Sequence, residues 1–278
     1  MTLLLLADNC ERSIWRRRRG DVGMKTVLRS HVGKVRQVNE DKAWSGVLSS
    51  GLTVAIVADG MGGHRAGDVA SALAVDSLVQ SLNAWEEISS VKEEVSQLKE
   101  MIRKANTVVY ETASLNDQYH NMGTTVVMAI LDGNSGIIGH IGDSRAYRLR
   151  RGQLELLTED HTLVNELTKS GQLSPDEAAH HPRRNVLTRA LGTDSEVDVD
   201  VQVIDWQIGD LLLLCSDGLS GLVEPSLLKA TLEDPDAELE QQALRLVESA
   251  LDAGGDDNVT VVLISDNDGA NGVGGETA

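Results

Sequence analysis

An apolar run that ends on an aspartate and then a cluster of glycines places the strongest limit on how this chain folds. The run "LTVAI" at 52–56 leads into "VADGMGGHRAGDVAS" at 57–71, where Asp59 is followed by Gly60, Gly62 and Gly63. A simple turn needs fewer glycines, and a nucleotide-binding loop needs a different spacing. Glycine allows close backbone approach, so that a carbonyl can join a carboxylate around a ligand. The segment therefore predicts a strand whose end carries an oxygen-lined site.

The combination of an apolar run, an acid and small neighbours recurs further along the chain. Asp143 follows a strand-like run in "IIGHIGDSRAYRL", and Asp217 follows another in "LLLLCSDGLSGL". Asp256 and Asp257 stand just before the last apolar run in "GGDDNVTVVLI". Strand ends of a layered protein meet at common edges, so we expect several of these acids to converge.

A loop upstream of these segments, "VRQVNEDKA", adds Glu40 and Asp41 beside Arg36. Carboxylates crowded at one end of a sandwich repel each other, and burial strengthens the repulsion. A hard divalent cation relieves it, and a shell made only of oxygen atoms suits Mg²⁺ or Mn²⁺. The sequence therefore predicts a divalent metal site.

Each acid taken alone has a simpler interpretation, because strand-end aspartates most often form turns or cap helices. Asp217 could cap the short segment after it, and Asp143 could pair with Arg145. Asp256 and Asp257 could cap a loop. Four such sites, each beside a turn that contains glycine, are harder to explain as independent turns.

The predicted elements alternate between short strands and three longer helices. Runs rich in Val and Ile predict strands at 26–32, 52–58, 123–131, 136–142, 145–150, 197–204, 210–215 and 258–264. The turns "LDGNSG" and "LRRGQL" predict antiparallel hairpins. Apolar residues every three or four positions predict helices over 65–83, 91–109 and 236–253. This order predicts an α+β fold in which strands pack as a sandwich and helices cover its outer faces.

The predicted domain organisation is a single catalytic domain over residues 24–265. The polar segment 160–195 has a helix-turn-helix pattern and is expected to form a surface insertion. Residues 266–278 are rich in Gly, Asn and Asp and predict a disordered tail. Residues 1–23 are expected to be a flexible leader or an over-extended start, with Met24 as the initiator.

Composition excludes several classes of partner. The formal net charge of −18 argues against nucleic acid, whose phosphates would be repelled. No run approaches the roughly 18 apolar residues that a membrane span requires. Only two cysteines occur, which is typical of a reducing compartment. We therefore expect a cytoplasmic protein that binds neither nucleic acid nor membranes.

Six ordered motifs resemble those of the metal-dependent Ser/Thr protein phosphatases of the type 2C (PPM) family, in its compact bacterial branch. They are "VRQVNEDKA", "VADGMGGHRAGDVAS", "GTTVVMAIL", "GHIGDSRAYRL", "CSDGLSGLV" and "GGDDNVTVVLI". The resemblance runs from about residue 25 to 265 and implies a four-layer α-β-β-α sandwich with 160–195 as a flap. It implies hydrolysis of phosphoserine and phosphothreonine by direct attack of a metal-bridging water. The implied partners are phosphorylated proteins and a Ser/Thr kinase whose action the enzyme opposes, and we expect a monomer.

The resemblance also implies a ligand set for two Mn²⁺ or Mg²⁺ ions. Asp59 would bridge both ions, and Asp217 and Asp257 would complete the shell of one. Glu40 and the carbonyl of Gly60 would serve the other. In this scheme Asp59 and Asp217 are catalytic residues through the ions that they hold.

Three further roles follow from the same resemblance. Arg36 would grip the substrate phosphate, for which a planar cation that can form two parallel hydrogen bonds is well suited. Asp41 would act through a metal-bound water. Asp143, together with Asp217, would hold a third and weaker metal.

The general acid is not assigned by the motifs. Met61 stands where many eukaryotic members have a histidine proposed for that role. His64 and His161 are the candidates, although a histidine near such a site is more often structural.

Two rival interpretations start from other residues. Cys10 and Arg16 have the spacing of a tyrosine phosphatase loop, but "CERSIWR" lacks the preceding strand and the small residues that cradle phosphate. Cys215 is most simply a buried small apolar residue. A Ca²⁺-binding module or an inactive phosphatase is the other alternative, and the absence of EF-hand spacing together with the complete set of acids speaks against both.

Overall fold

The computed structural model describes residues 24–62, 66–82, 84–85 and 90–266. The predicted leader, residues 1–23, and residues 267–278 of the predicted tail lie outside these residues. Asp266, the first residue of the predicted tail, is buried and accepts a hydrogen bond from the N–H of Gly209 at 2.9 Å.

Strands and helices alternate along the described chain. The strands are β1 (Lys25–His31), β2 (Asp41–Val47), β3 (Thr53–Met61), β4 (Gly123–Thr124), β5 (Val126–Leu131), β6 (Ser135–Ile141), β7 (Arg145–Arg150), β8 (Gln153–Leu156), β9 (Asp200–Asp205), β10 (Leu211–Cys215) and β11 (Val259–Ser265). The helices are α1 (Ala66–Leu82), α2 (Val91–Leu115), α3 (Leu163–Lys169), α4 (Pro175–Ala179), α5 (Asp217–Ser220), α6 (Pro225–Leu232) and α7 (Leu239–Asp252). A single turn of 3₁₀ helix covers Asp117–Tyr119.

The strands form two antiparallel sheets. Sheet I has the order β1-β11-β10-β7-β8, and sheet II has the order β2-β3-β5-β6-β9 with β4 paired to the end of β3. The two predicted hairpins are confirmed, since β5 pairs with β6 and β7 pairs with β8 in antiparallel register.

Three layers of apolar side chains hold the sheets and helices together. Val57 and Leu212 lie in the layer between the sheets, while Ile56, one residue along β3, faces helices α1 and α2. Leu213 of β10 likewise faces away from sheet II, into a layer that contains residues of α5, α6 and α7. Because side chains alternate along a strand, each central strand contributes to two layers. The predicted α-β-β-α sandwich is therefore confirmed.

Several elements differ from the sequence prediction, whose strand and helix ranges also did not include β8 or α5. Strand β2 was not predicted because "DKAWSGV" is only partly buried, and its seven pairs with β3 hold it in the sheet. Helix α6 was also not predicted. The stretch predicted as one strand over 123–131 divides at Thr125, where the side chain of Thr125 takes the hydrogen bond from the N–H of Asp59.

The segment 160–195 carries the two short helices α3 and α4, each begun by a capping side chain, Thr162 and Ser174. Most of the segment between them is exposed. Among the described residues, no helix is both long enough and apolar enough to span a membrane.

Candidate metal centre

Two predicted acids are neighbours on adjacent strands of sheet II. Asp41 at the start of β2 is the register partner of Asp59 near the end of β3. The side chain of Asp41 is buried, and its Oδ2 accepts a hydrogen bond from Ser216 of the neighbouring sheet at 2.8 Å. The two strands therefore bring both carboxylates to one end of the sandwich.

The backbone of Asp59 is fixed by two threonines from the interrupted strand. Its N–H donates to Oγ1 of Thr125 at 3.0 Å, and its carbonyl accepts from the N–H of Thr125 at 2.9 Å and from the hydroxyl of Thr124 at 2.8 Å. These hydrogen bonds fix the backbone of Asp59 and so the position from which its carboxylate projects.

Sheet I contributes two more acids from adjacent strands. Asp217 follows β10 and is the first residue of α5, and Asp257 lies two residues before β11. Gly218 makes this approach possible, because a Cβ there would lie 1.9 Å from the carbonyl oxygen of Asn258. A side chain at position 218 would thus separate the two segments that carry Asp217 and Asp257.

Glu40, Gly60 and Gly67 meet at the start of helix α1. A Cβ on Gly67 would lie 2.6 Å from Oε1 of Glu40 and 2.7 Å from the carbonyl oxygen of Gly60, so both oxygens converge on one point. A Cβ on Gly60 would lie 2.0 Å from the carbonyl oxygen of Gly67. Only glycine at both positions allows these oxygens to approach each other.

The loop that carries Arg36 is tied to the loop before β11. Nη2 of Arg36 donates to Oδ2 of Asp257 at 2.7 Å. Asn258 holds the same loop by donating to the carbonyls of Val32 and Val38 at 2.9 and 3.0 Å and by accepting from the N–H of Glu40 at 2.7 Å. The guanidinium of Arg36 is thereby placed beside the carboxylates of the site.

Asp143 lies in the turn between β6 and β7, at the edge of the same acidic group. The alternative pairing of Asp143 with Arg145 is not what the structure shows. Arg145 instead forms two hydrogen bonds with Asp160, at 2.8 and 2.7 Å. Burial, with the charges of Asp217 and Asp160, raises the pKa of Asp143 to about 8.

The pKa values of the acids show that they lie in one electrostatic environment. Burial, followed by the charges of Asp41 and Asp217, raises the pKa of Asp59 well above its ordinary value. Burial also raises the pKa of Asp41 to about 7, against the effect of its hydrogen bonds. The pKa of Asp217 rises for the same reason, with the charge of Asp257 adding to the effect. Without a cation, several of these groups would hold protons near neutral pH.

The donor set fits a pair of hard divalent cations. Oδ1 of Asp41 and Oδ1 of Asp217 are buried without a hydrogen-bond partner among the described residues. Buried carboxylate oxygens normally have hydrogen-bond partners. Two that lack them, among carboxylates that repel each other, indicate a bound cation. The donors are all oxygen atoms, as Mn²⁺ and Mg²⁺ prefer.

The remaining candidates either do not belong to this group of acids or lie outside the described residues. His64, Cys10 and Arg16 lie outside the described residues. His161 is buried, with its Nδ1 accepting from the N–H of Gly142 at 3.1 Å and its Nε2 bound to Asp200 at 3.1 Å. Cys215 is fully buried, and burial raises the pKa of its thiol to about 12, so it is no nucleophile.

Several residues that support the centre were not singled out from the sequence. Asp68, in the first turn of α1, has a buried Oδ1 without a partner among the described residues, and its charge helps to raise the pKa of Glu40. The others are Thr125, Ser216, Asn258 and Gly67. All five stand within the six quoted motifs, at most two residues from an acid or a glycine, and that proximity is the signal that could have found them.

Fold and centre together define a class: a metal-dependent phosphatase built on an α-β-β-α sandwich with carboxylates from both sheets at one end. Comparison with known proteins agrees. The profile of the family "Protein phosphatase 2C" matches residues 29–253. The serine/threonine phosphatase Stp of Listeria welshimeri is 40% identical over 247 residues, which cover 88% of this chain and 96% of Stp.

Solved structures give the same result. The serine/threonine phosphatase of S. agalactiae superposes with a TM-score of 0.82 at 36% identity, covering 87% of this chain and 99% of that one. The catalytic domain of the phosphatase PstP, solved in complex with two manganese ions, has a TM-score of 0.76 at 35% identity over 87% of this chain and 97% of that one.

The chain belongs to the protein phosphatase 2C family. It is a metal-dependent protein serine/threonine phosphatase, as the resemblance of its motifs implied.

Proposed function

We propose that this chain removes phosphate from phosphoserine and phosphothreonine with a pair of Mn²⁺ or Mg²⁺ ions held by five residues. Asp59 serves both ions, Asp217 and Asp257 hold one, and Glu40 with the carbonyl of Gly60 hold the other. The observation that supports this assignment most directly is the convergence of carboxylates from both sheets around buried oxygens that lack hydrogen-bond partners.

The chemistry requires no nucleophile from the protein. When bound, two divalent ions lower the pKa of a water, orient it toward phosphorus and neutralise the developing charge. The task of the chain is to hold its carboxylates ionised and fixed. The Thr125 hydrogen bonds fix the backbone that carries Asp59, and the Ser216 hydrogen bond to Oδ2 of Asp41 orients that carboxylate and favours its ionised form.

Arg36 binds the non-bridging oxygens of the substrate phosphate in this proposal. Its side chain is about half exposed and pairs with Asp257 through one nitrogen, Nη2. The rest of the guanidinium therefore remains available to an anion. Asp41 supports the ions through water, and Asp143 with Asp217 forms a weaker third position.

The proposal extends to partners and location. The substrates are phosphorylated proteins, including targets of a Ser/Thr kinase that the enzyme opposes. We propose that it acts as a monomer and that it is located in the cytoplasm; the low cysteine content supports the location.

The assignment of the acids is tested by three substitutions to asparagine. Asp59→Asn and Asp217→Asn should each lower Mn²⁺-dependent hydrolysis of a phosphothreonine peptide by at least about 100-fold, because a charged ligand is lost where charge develops. Asp256→Asn is the matched control, since Asp256 is an exposed neighbour of Asp257 and should keep its activity. Wild-type rates in both ligand variants, with circular dichroism showing a folded protein, would disprove the site.

The role of Arg36 is tested separately. Arg36→Ala should lower kcat/KM by about 10- to 100-fold, since a hydrogen bond to a charged group contributes about 1.5–3 kcal/mol. Binding of Mn²⁺ measured by calorimetry should be retained. Arg103→Ala, an exposed change on α2, is the control, and equal kinetics for the two variants would contradict the assignment.

A further inference from the structure

Two buried histidines stack beneath the base of the 160–195 flap, next to the turn that carries Asp143. The rings of His140 and His161 lie 4.8 Å apart between centroids and 21° from parallel. Both side chains are almost fully buried, at 6% and 3% exposure. Burial lowers the pKa of each imidazole, so both rings are neutral near pH 7.

The hydrogen bonds of His161 fix the position of its proton. The N–H of Gly142 can only donate, so Nδ1 of His161, at 3.1 Å, is the acceptor. In a neutral ring the proton then resides on Nε2, which donates to Oδ2 of Asp200 at 3.1 Å. The other oxygen of Asp200 accepts from Arg189, near the end of the flap, at 3.1 Å.

His161 and Gly142 form two hydrogen bonds. In addition to the side-chain contact, the N–H of His161 donates to the carbonyl of Gly142 at 2.9 Å. The carbonyl of His161 accepts from Thr188 on the returning end of the flap at 2.8 Å. One residue thus connects both ends of the flap base to the backbone immediately before Asp143.

The turn after Gly142 leads directly to the centre. Gly142 has φ +102°, and a Cβ there would lie 2.6 Å from Cγ2 of Thr125. The hydroxyl of Thr125 accepts from the N–H of Asp59 and is hydrogen-bonded to Ser144 at 2.7 Å. A shift of Gly142 would therefore move Asp143 relative to Asp59.

The same histidines suggest a different interpretation, a second metal site. Ligand atoms of His140, His161 and Asp200 lie within 4.8 Å of one another. Most of these ligand atoms, however, are already hydrogen-bonded: Nε2 of His140 lies 2.9 Å from the carbonyl of Glu159, both nitrogens of His161 have partners, and Arg189 competes for Asp200. Nearly parallel rings also direct their in-plane lone pairs poorly toward a common ion.

We propose that His161 is a positioning residue, which accepts from Gly142 and donates to Asp200 and so couples the flap base to the turn that holds Asp143 at the third metal position. The proposal rests on the assignment of Asp143 made under the proposed function. It assigns no contact between His161 and the substrate.

Two isosteric substitutions separate the two hydrogen bonds. His161→Asn places an oxygen near the position of Nδ1 and keeps an acceptor for Gly142. His161→Gln places its amide near Nε2, keeps a donor for Asp200 and loses the acceptor for Gly142. The exposed flap residue His180 supplies the control, His180→Asn. Melting temperatures of all variants identify any that fail to fold.

Two readouts independent of turnover test the coupling. Exchange of the Gly142 amide with deuterium should speed up by about 10-fold or more in His161→Gln, since a buried hydrogen bond is lost, and should stay near the wild-type rate in His161→Asn. Calorimetric titration with Mn²⁺ should show the weakest binding step weakened by about 10-fold or more in His161→Gln alone, the usual effect of losing a residue that supports a ligand. The tighter steps should be unchanged in every variant.

The outcomes that overturn the proposal are distinct. Equal Gly142 exchange and equal Mn²⁺ binding in wild type, His161→Gln and His161→Asn would remove His161 from this role. A wild-type protein that binds two Mn²⁺ and no third would overturn the inference and leave the proposed metal pair intact. No Mn²⁺ binding at all would overturn both. Stoichiometric Zn²⁺ binding that disappears in His140→Gln would show a metal site instead.

Discussion

Glu94 is a buried carboxylic acid far from the metal centre in sequence and in the fold. It lies in the first turn of α2 at 6% exposure, and its Oε2 has no hydrogen-bond partner among the described residues. Burial, with a contribution from the charge of Asp132, raises the pKa of Glu94 to about 7. The native protein therefore binds this proton more tightly than the unfolded chain does.

A pH-dependent change in stability follows from that raised pKa. The stabilisation from the protonated carboxyl is fully present below the unfolded pKa near 4.5 and is lost as the pH rises through about 7. Glu94→Gln should therefore unfold like wild type at pH 4.5 and be more stable by about 1–2 kcal/mol at pH 8. Urea unfolding at both pH values measures this, with the exposed Glu111→Gln on the same helix as control. A Glu94→Gln variant less stable than wild type at pH 8 would contradict the prediction.

At the scale of one element, the start of helix α1 has to approach the metal centre more closely than a side chain permits. Gly67 packs against the Glu40 carboxylate and the Gly60 carbonyl, and its N–H is a hydrogen-bond donor to Glu40. A methyl group there displaces one of two proposed metal-binding oxygens, while most of the helix remains packed on sheet II.

Gly67→Ala should therefore impair metal binding more than folding. We expect Mn²⁺ affinity to fall by about 10- to 100-fold, the range found when a group that orients a metal ligand is lost. Calorimetry and thermal unfolding without metal measure the two effects. Gly46→Ala is the control, since a Cβ there meets only the side chain of Trp44, at 3.1 Å, and no proposed metal ligand. Equal Mn²⁺ affinity in the two variants would show that the close approach at Gly67 is not needed.

At the scale of the whole molecule, the proposed metal centre lies between the two sheets. Asp41 and Asp59 belong to sheet II, whereas Asp217 and Asp257 flank strands of sheet I. Cations bound by these acids, as proposed, would hold the sheets together at that end, in addition to the apolar layer between the sheets. Metal binding should therefore be linked to global unfolding.

Mn²⁺ should stabilise the folded protein at pH 7 by about 2.7 kcal/mol per site at a concentration 100 times Kd. Differential scanning calorimetry in Mn²⁺ and in EDTA measures this stabilisation as a rise in Tm. In Asp59→Asn the rise should shrink, because the residue proposed to serve both ions has lost its charge. A Tm that is the same in Mn²⁺ and EDTA would mean that the acids do not bind cations in the folded state.

The sequence alone determined the sandwich and the identity of the acids. The spacing of apolar residues in strands and helices depends on local geometry, so the sequence predicts these elements. An acid next to glycines can likewise be recognised without knowledge of the residues that contact it. For the same reason the hairpins at 131–136 and 149–154 and the helices α1, α2 and α7 were predicted correctly. Strand β2 was missed because its weak pattern is compensated by pairing with β3.

Only the tertiary structure decided how the acids are arranged and supported. The register of Asp41 with Asp59, the contact of Ser216 with Asp41 and the pairing of Arg36 with Asp257 each join residues that are far apart in the chain. The bonds of His161 to Gly142 and Asp200 are of the same kind. Such contacts depend on how the two sheets and the flap pack, and this packing is set by side-chain shape across many residues rather than by a local period.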